Sequence, residues 1–111
     1  NLHKIGYSKN DVARRIKNAE HEPTYLMASV SIVGIWQCFN MNPQKFEQLL
    51  HNFFGMTCLD LDVFDDNGKR HRPQEWFIVP IEAINQAIEM IISGVIVNYR
   101  YDQESESIVL R

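Results

Sequence analysis

The amino-acid sequence predicts an α+β domain in which a small, mostly antiparallel central sheet is flanked by helices and followed by a C-terminal hairpin. Three observations support this fold class. Short β-rich runs alternate with amphipathic helical patterns. Turn signals separate these segments without a long linker or an internal repeat. The 111 residues, with a 45% apolar share, suit a single domain over 1–111 with one hydrophobic core.

The first elements are a short strand and a helix. Leu2–Tyr7 has the composition of a strand. Ser8, followed three residues later by Asp11, resembles a capping box and predicts a helix start. The helix has one apolar stripe, formed by Val12, Ile16 and Ala19.

A long strand and a capped helix are predicted next. Ala28–Phe39 is rich in β-branched and aromatic residues, which predicts a strand, with Gly34 marking a bulge. Asn42 and Pro43 are typical of an N-cap and first helical residue, and Gly55 is typical of a stop.

The C-terminal half contains short strands, one helix and a hairpin. Alternation over residues 59–63 and the apolar run 76–79 predict strands, and Asp66-Asn67-Gly68 predicts a turn. Apolar residues at helical spacing predict a helix from Pro80 to Ser93. Residues 95–110 then predict a closing hairpin.

Charge, cysteine content and hydropathy bear on DNA binding, on the redox compartment and on membrane insertion. The net charge of -3 does not mark the whole surface for nucleic acid, but residues 1–21 contain five basic and two acidic side chains. The two cysteines form no disulfide framework, which favours a reduced cytoplasmic protein. No apolar run reaches membrane-spanning length. Because the first residue is Asn, we expect a fragment of a longer protein.

The two adjacent arginines point in different directions on the predicted helix. At roughly 100° per residue, Arg15 lies beside the apolar stripe, whereas Arg14 points to solvent. A guanidinium held by packing can bind a phosphate through two hydrogen bonds. The alternative is that both are ordinary solvated side chains.

Three further groups of residues are candidates for chemistry. Glu47 and His51 share one helix face. The single carboxylate of Glu47 can bind Mg²⁺ there. The alternative is that the two residues form an ordinary pair on the helix surface. Tyr7 can position or deprotonate a water, or be a strand tyrosine with a solvated hydroxyl. The loop Lys69-Arg70-His71-Arg72 can contact a DNA backbone or balance the nearby aspartates. The spacings fit neither a calcium loop nor a zinc motif.

These fragments, in this order, resemble the GIY-YIG endonuclease superfamily, in particular its phage-type DNA-binding subgroup with a Lys-Ile-Gly variant. The matching stretches are Lys4-Ile5-Gly6, a helix with Arg15, Glu47 followed by Leu50-His51, and Glu75-Trp76-Phe77. The resemblance covers about residues 2–92 and excludes the terminal hairpin. The Gly-Ile-Tyr strand of that superfamily has no counterpart in this chain.

The resemblance implies a function and a role for each candidate. It implies a Mg²⁺-dependent (or Mn²⁺-dependent) DNA endonuclease in which Glu47 is the metal ligand and Arg15 steadies the scissile phosphate. Tyr7 and His51 are the implied pocket residues. The alternative is a non-catalytic DNA-binding module on the same fold. The residues expected to contact DNA are Lys4, Lys9, Arg14, Lys17, Lys69, Arg70 and Arg72.

Overall fold

Short antiparallel strands and three α-helices form the fold in a computed structural model that describes residues 1–9, 11–39 and 41–111. This confirms the α+β class. In the described residues the strands pair as three separate two-stranded sheets instead of one central sheet. The helices are α1 (Val12–Arg15), α2 (Pro43–Phe53) and α3 (Ile81–Ser93). The strands are β1 (Leu2–Lys4), β2 (Val63–Phe64), β3 (Arg70–His71), β4 (Trp76–Ile78), β5 (Tyr99–Asp102) and β6 (Ser107–Leu110).

Strand β4 connects the N-terminus to two hydrophobic clusters. It pairs antiparallel with β1, so that His3 lies opposite Phe77. Because side chains alternate along a strand, Trp76 and Phe77 point to opposite faces. Trp76 packs with Ala19 and Tyr25. Phe77 belongs to the larger cluster, which includes residues of α2, α3 and β5. The pairing therefore fixes the N-terminal segment relative to both clusters.

Helices α2 and α3 follow their predicted boundaries. The Asn42 side chain accepts hydrogen bonds from the backbone N–H groups of Gln44 and Lys45, and Pro43 is the first residue of α2. Helix α3 ends at Gly94, whose φ of 81° is readily adopted by glycine. Helix α3 buries Ala83, Ile84, Ala87 and Ile88. Local sequence rules were sufficient for these two helices.

The first strand and the first helix are both shorter than predicted. Strand β1 ends at Lys4, and the N–H of Ile5 still donates to the carbonyl of Glu75. The backbone of Tyr7 then pairs with side chains and not with another strand. Helix α1 has four residues, and its N-cap is Asp11, whose side chain accepts from the N–H of Ala13. A 3₁₀ turn, Ala19–His21, follows in place of the predicted helical continuation.

The prediction of a long strand at Ala28–Phe39 is wrong for the described residues. A strand requires a neighbour for its backbone groups, and no backbone–backbone hydrogen bond between described residues involves residues 31–39. The apolar side chains of this segment remain in solvent, with Val33 63% and Phe39 74% exposed. The ring of Trp36 lies close to Gly34, where an added Cβ would come within 2.4 Å of it. The β-rich composition was therefore insufficient to make a strand.

The remaining elements match their predictions in part. The predicted strand at residues 59–63 is confirmed only at Val63, where β2 begins. Before it, the N–H of Leu59 donates to the carbonyl of Trp76 in β4. The turn at Asp66-Asn67-Gly68 is confirmed, with Gly68 at φ 79°. The C-terminal hairpin is confirmed as β5 and β6, preceded by a 3₁₀ turn at Val95–Asn98. Within the described part of the chain, no helix has the length and apolar character needed to cross a membrane.

Candidate functional site

A pocket of about 490 Å³ lies between the first helix and the second. We call it the Arg15–Glu47 pocket; its lining residues are Tyr7, Ser8, Lys9, Asp11, Arg14, Arg15, Glu47 and Glu75. The structure thus brings together several residues that the sequence singled out, although Arg15 and Glu47 are far apart in the chain.

The backbone of Tyr7 joins the two central side chains of the pocket. Its N–H donates to Glu47 Oε2 at 2.8 Å. Its carbonyl accepts a hydrogen bond from Arg15 Nη1. Both functional groups are therefore oriented by a single residue, directly after the Ile5-Gly6 pair. This arrangement requires the chain to leave the strand pairing before Tyr7.

Gly6 gives the Lys4 side chain room beside the pocket. A Cβ at this position would lie 3.0 Å from Lys4 Nζ and 3.7 Å from Glu47 Oε2. Lys4 Nζ is fixed by an ion pair with Glu75 Oε2 at 2.8 Å, and its side chain is only 10% exposed. Lys4 is therefore committed to an internal contact, and contact with DNA would require that ion pair to break.

Arg15 is held at two points although it lies at the exposed end of α1. Besides the contact with Tyr7, its Nε donates to the hydroxyl of Tyr25 at 3.1 Å. The guanidinium has five N–H donors, so donors remain for an anion. Arg14 also lines the pocket, which was not expected from its predicted orientation toward solvent.

The charges of the lining side chains do not all act on a ligand equally. Three cations, Lys9, Arg14 and Arg15, face three carboxylates. However, Glu75 is neutralised by Lys4, and Asp11 accepts a hydrogen bond at the start of α1. Among the described residues, Glu47 and Asp11 form no ion pair, and each accepts a backbone N–H instead. The local balance favours an anion near the arginines.

Glu75 has a perturbed acidity. Its partial burial raises its pKa, but the hydrogen bond and the charge of Lys4, with smaller contributions from Thr24 and His51, lower it more. The net effect holds the pKa of Glu75 below its ordinary value. The carboxylate therefore stays ionised at neutral pH and keeps its partner Lys4 in place.

His51 does not line the pocket. It contacts the backbone of Ile5, which precedes the pocket residues in the chain. Its Nε2–H donates to the carbonyl of Ile5 at 2.6 Å, which fixes that nitrogen as the protonated one. Its ring also packs on Phe77, with 5.1 Å between ring centroids. The geometry is that of a residue which holds the strand end beside α2.

The basic loop at residues 69–72 lies outside the pocket, and both of its arginines are paired. Arg70 forms an ion pair with Asp62 at 3.0 Å, and Arg72 forms one with Asp60 at 2.6 Å. His71 contacts Asp65 at 2.9 Å. This is the charge-balancing arrangement that the sequence left open as the alternative to DNA contact. Lys17 and Lys69 are exposed and also lie outside the pocket.

Two residues of the site were not identified from the sequence. Glu75 belongs to the Glu-Trp-Phe stretch, so that motif was the available signal. Tyr25 is buried at 5% exposure, and its sequence surroundings give no sign of a contact with Arg15. Tyr25 packs in one cluster with Trp76, a contact between segments that are distant in sequence.

Comparison with known proteins corrects the family suggested by the motifs. The family model for the T5orf172 domain matches residues 1–92. This is a different family from GIY-YIG, so the predicted GIY-YIG membership is wrong. The chain is 44% identical over 92 residues to the uncharacterized protein YeeC of Bacillus subtilis (strain 168). That match covers 83% of the chain but only 24% of YeeC, and no solved structure was found to match.

Proposed function

We propose a function that starts from family membership: this chain belongs to the T5orf172 domain family. In this proposal the chain binds DNA at the Arg15–Glu47 pocket and hydrolyses a phosphodiester bond there with Mg²⁺. T5orf172 domains are often nuclease-like or DNA-binding modules. The observation that best supports the proposal is the attachment of Arg15 and Glu47 to one residue, Tyr7. The chain spans about a quarter of the length of YeeC, so the proposal concerns this domain.

Arg15 supplies the phosphate-binding group in this proposal. Its guanidinium is planar and permanently charged, and its geometry matches the oxygens of a phosphate. Tyr7 and Tyr25 use two of its donors and orient the rest. Lys9 and Arg14, which line the same pocket, add positive charge for the neighbouring DNA backbone.

Glu47 fits the role of a single carboxylate ligand for Mg²⁺ or Mn²⁺. Mg²⁺ in phosphate chemistry is commonly bound by one or two carboxylates, with water and substrate oxygens completing its shell. Glu47 Oε2 accepts one N–H, and a carboxylate has about four lone-pair positions. A bound cation would supply charge stabilisation and a more acidic water. Tyr7, which also lines the pocket, is the candidate for positioning that water through its hydroxyl.

The test is nicking of supercoiled plasmid DNA by the 111-residue chain with MgCl₂ or MnCl₂. We expect Glu47→Gln to reduce the rate by roughly 100-fold, the scale of losing one group that stabilises a transition state. Arg15→Ala should reduce both the rate and the affinity for DNA. The matched control is Glu82→Gln, an exposed glutamate in the first turn of α3. Nicking by Glu47→Gln at the wild-type rate would show that the mechanism is wrong.

A DNA-binding module without catalysis is the second candidate function. It is favoured by the absence, among the described residues, of any group of three or more His, Cys, Asp or Glu placed to bind a metal. This candidate predicts that the chain binds duplex DNA equally well with Mg²⁺ and with EDTA, and that neither cation supports nicking. Binding that requires Mg²⁺ would contradict it.

A further inference from the structure

We propose that Tyr25 is a positioning residue that presents the Arg15 guanidinium to a DNA phosphate; the inference rests on the proposed function. Tyr25 ends the 3₁₀ turn Pro23–Tyr25 and is 5% exposed. Its hydroxyl accepts from Arg15 Nε at 3.1 Å. Tyr25 does not line the pocket, so it acts through Arg15 and not by touching the ligand.

The two contacts of Arg15 fix both the position and the orientation of its guanidinium. One anchor is at Nε and the other at Nη1, and the guanidinium between them is planar. Two anchors on a planar group fix the direction in which the remaining N–H donors point. Without the Tyr25 hydroxyl, the side chain could rotate about the contact with Tyr7. Ordering that group before the ligand arrives lowers the entropy lost on binding.

The turn that carries Tyr25 is itself attached to the opposite wall of the pocket. Trp76 Nε1 donates to the carbonyl of Thr24 at 2.8 Å, and Thr24 Oγ1 donates to Glu75 Oε2 at 3.2 Å. Lys4 Nζ lies 5.4 Å from the centroid of the Tyr25 ring, within range of a cation–π contact. The Arg15 and Glu75 walls are therefore connected through two consecutive residues.

The backbone after Tyr25 is strained, which indicates that its placement is tightly constrained. Leu26 and Met27 have φ values of 59° and 54°, in the left-handed region that favours glycine. A left-handed backbone is unfavourable for a residue that has a side chain, and it persists where surrounding contacts enforce it. The N–H groups of Leu26 and Met27 bond to the carbonyls of Pro23 and Glu22, which close this turn.

The first experiment compares Tyr25→Phe with wild type by NMR of the Arg15 Nε–H group, assigned by its loss in Arg15→Lys. The ring is retained and only the hydroxyl is removed. We expect the Arg15 signal to shift and to exchange faster with water in Tyr25→Phe. Tyr101→Phe is the matched control, because Tyr101 is buried in the C-terminal hairpin, away from the pocket, and should leave the signal unchanged. An unchanged signal in Tyr25→Phe would overturn the proposal.

The second experiment measures affinity for a labelled DNA duplex by fluorescence anisotropy. We expect Tyr25→Phe to weaken binding about 5-fold to 10-fold, the scale of the net contribution of one ordinary intramolecular hydrogen bond. In an Arg15→Ala background, the same change should have less than about a 2-fold further effect, because residues acting as one unit are not additive. Equal losses in both backgrounds would show that Tyr25 acts independently of Arg15 and would overturn the proposal.

Arg15→Lys provides a variant that leaves the buried tyrosine intact. It keeps the charge but loses the planar fork and the Nε donor, so we expect DNA binding weaker than that of wild type. Binding at the wild-type level would overturn the positioning role. If the wild-type chain fails to bind DNA at all, the proposed function fails, whereas the Arg15 NMR signal still decides whether Tyr25 holds this side chain.

Discussion

Tyr7 contributes to the pocket chiefly through its backbone. Its N–H and carbonyl groups orient Glu47 and Arg15, so the peptide groups at this position are as important as the phenol. A mutation of the Tyr7 side chain therefore tests only part of its role. Its neighbour Gly6 leaves room for two side chains beside the pocket, because a Cβ there would lie 3.0 Å from Lys4 Nζ and 3.7 Å from Glu47 Oε2.

Gly6→Ala should destabilise the chain and weaken the pocket. The new Cβ would lie 3.0 Å from Lys4 Nζ, so the ammonium must shift by a few tenths of an ångström while it is held in its ion pair with Glu75. We expect a loss of about 1 kcal/mol in the free energy of unfolding, measured by urea denaturation. Gly55→Ala is the matched control, since a Cβ there meets no atom within 4 Å. Equal stability of Gly6→Ala and wild type would show that the ion pair adjusts without cost.

Glu75→Gln should change how the stability of the chain depends on pH. Because the folded-state pKa of Glu75 lies below its ordinary value near 4.5, its ionised form stabilises the fold. That contribution is fully present above about pH 4.5 and is lost as the pH falls through the lower folded-state value. We therefore expect Glu75→Gln to be less stable than wild type at pH 7, with the difference shrinking toward pH 3. Thermal unfolding across this pH range measures it, and a constant difference would contradict the expectation.

At the scale of elements, the main departure from expectation is the segment at residues 31–39. It has strand-forming composition and contains no charged residue, yet in the described structure it is exposed and lacks regular secondary structure. Helices α2 and α3 differ from it because their backbone bonds are internal to each helix. A strand depends on a second segment, so its composition alone cannot place it.

The exposed segment should be the first site of limited proteolysis. Chymotrypsin cleaves after aromatic residues, and Trp36 and Phe39 are 46% and 74% exposed. Because no backbone–backbone hydrogen bond between described residues holds residues 31–39, we expect early cleavage there. Trp76, which is 8% exposed and lies in β4, is the internal control and should be cut last. Mass spectrometry of the fragments gives the order, and early cleavage at Trp76 would contradict it.

At the scale of the whole molecule, the distribution of charge is more informative than its net value of -3. Lys9, Arg14 and Arg15 converge on one pocket. Arg70 and Arg72 are neutralised by aspartates on a separate part of the surface. We therefore expect DNA to bind mainly on the side of α1, despite the acidic overall balance.

The salt dependence of DNA binding distinguishes these two basic regions. Arg14→Ala should weaken binding and reduce the slope of log K against log salt by about 1, as expected for one lost phosphate contact. Arg72→Ala is the matched control and should leave that slope unchanged, because Arg72 is paired with Asp60. The measurement is anisotropy of a labelled duplex over a range of salt concentrations. An equal loss of slope in both variants would place the loop in the interface as well.

The sequence by itself determined the features that depend on neighbouring residues. These are the capped helix α2, the amphipathic helix α3 with Gly94 at its end, the turn at Asp66-Asn67-Gly68 and the C-terminal hairpin. It also singled out Arg15 and Glu47, which the structure places in one pocket. Caps, turns and helical periodicity act over a few residues, and this is why they can be read from the chain.

Only the tertiary structure decided the contacts between distant residues. It showed that residues 31–39 lack a strand partner among the described residues, that Tyr25 holds Arg15, and that Lys4 is paired with Glu75. Family membership was decided by neither the short motifs nor the tertiary structure. It came from the family-model match over residues 1–92, whereas the short motifs suggested a different family. The physical reason is that strand pairing and buried ion pairs depend on which segments pack together, which no local pattern specifies.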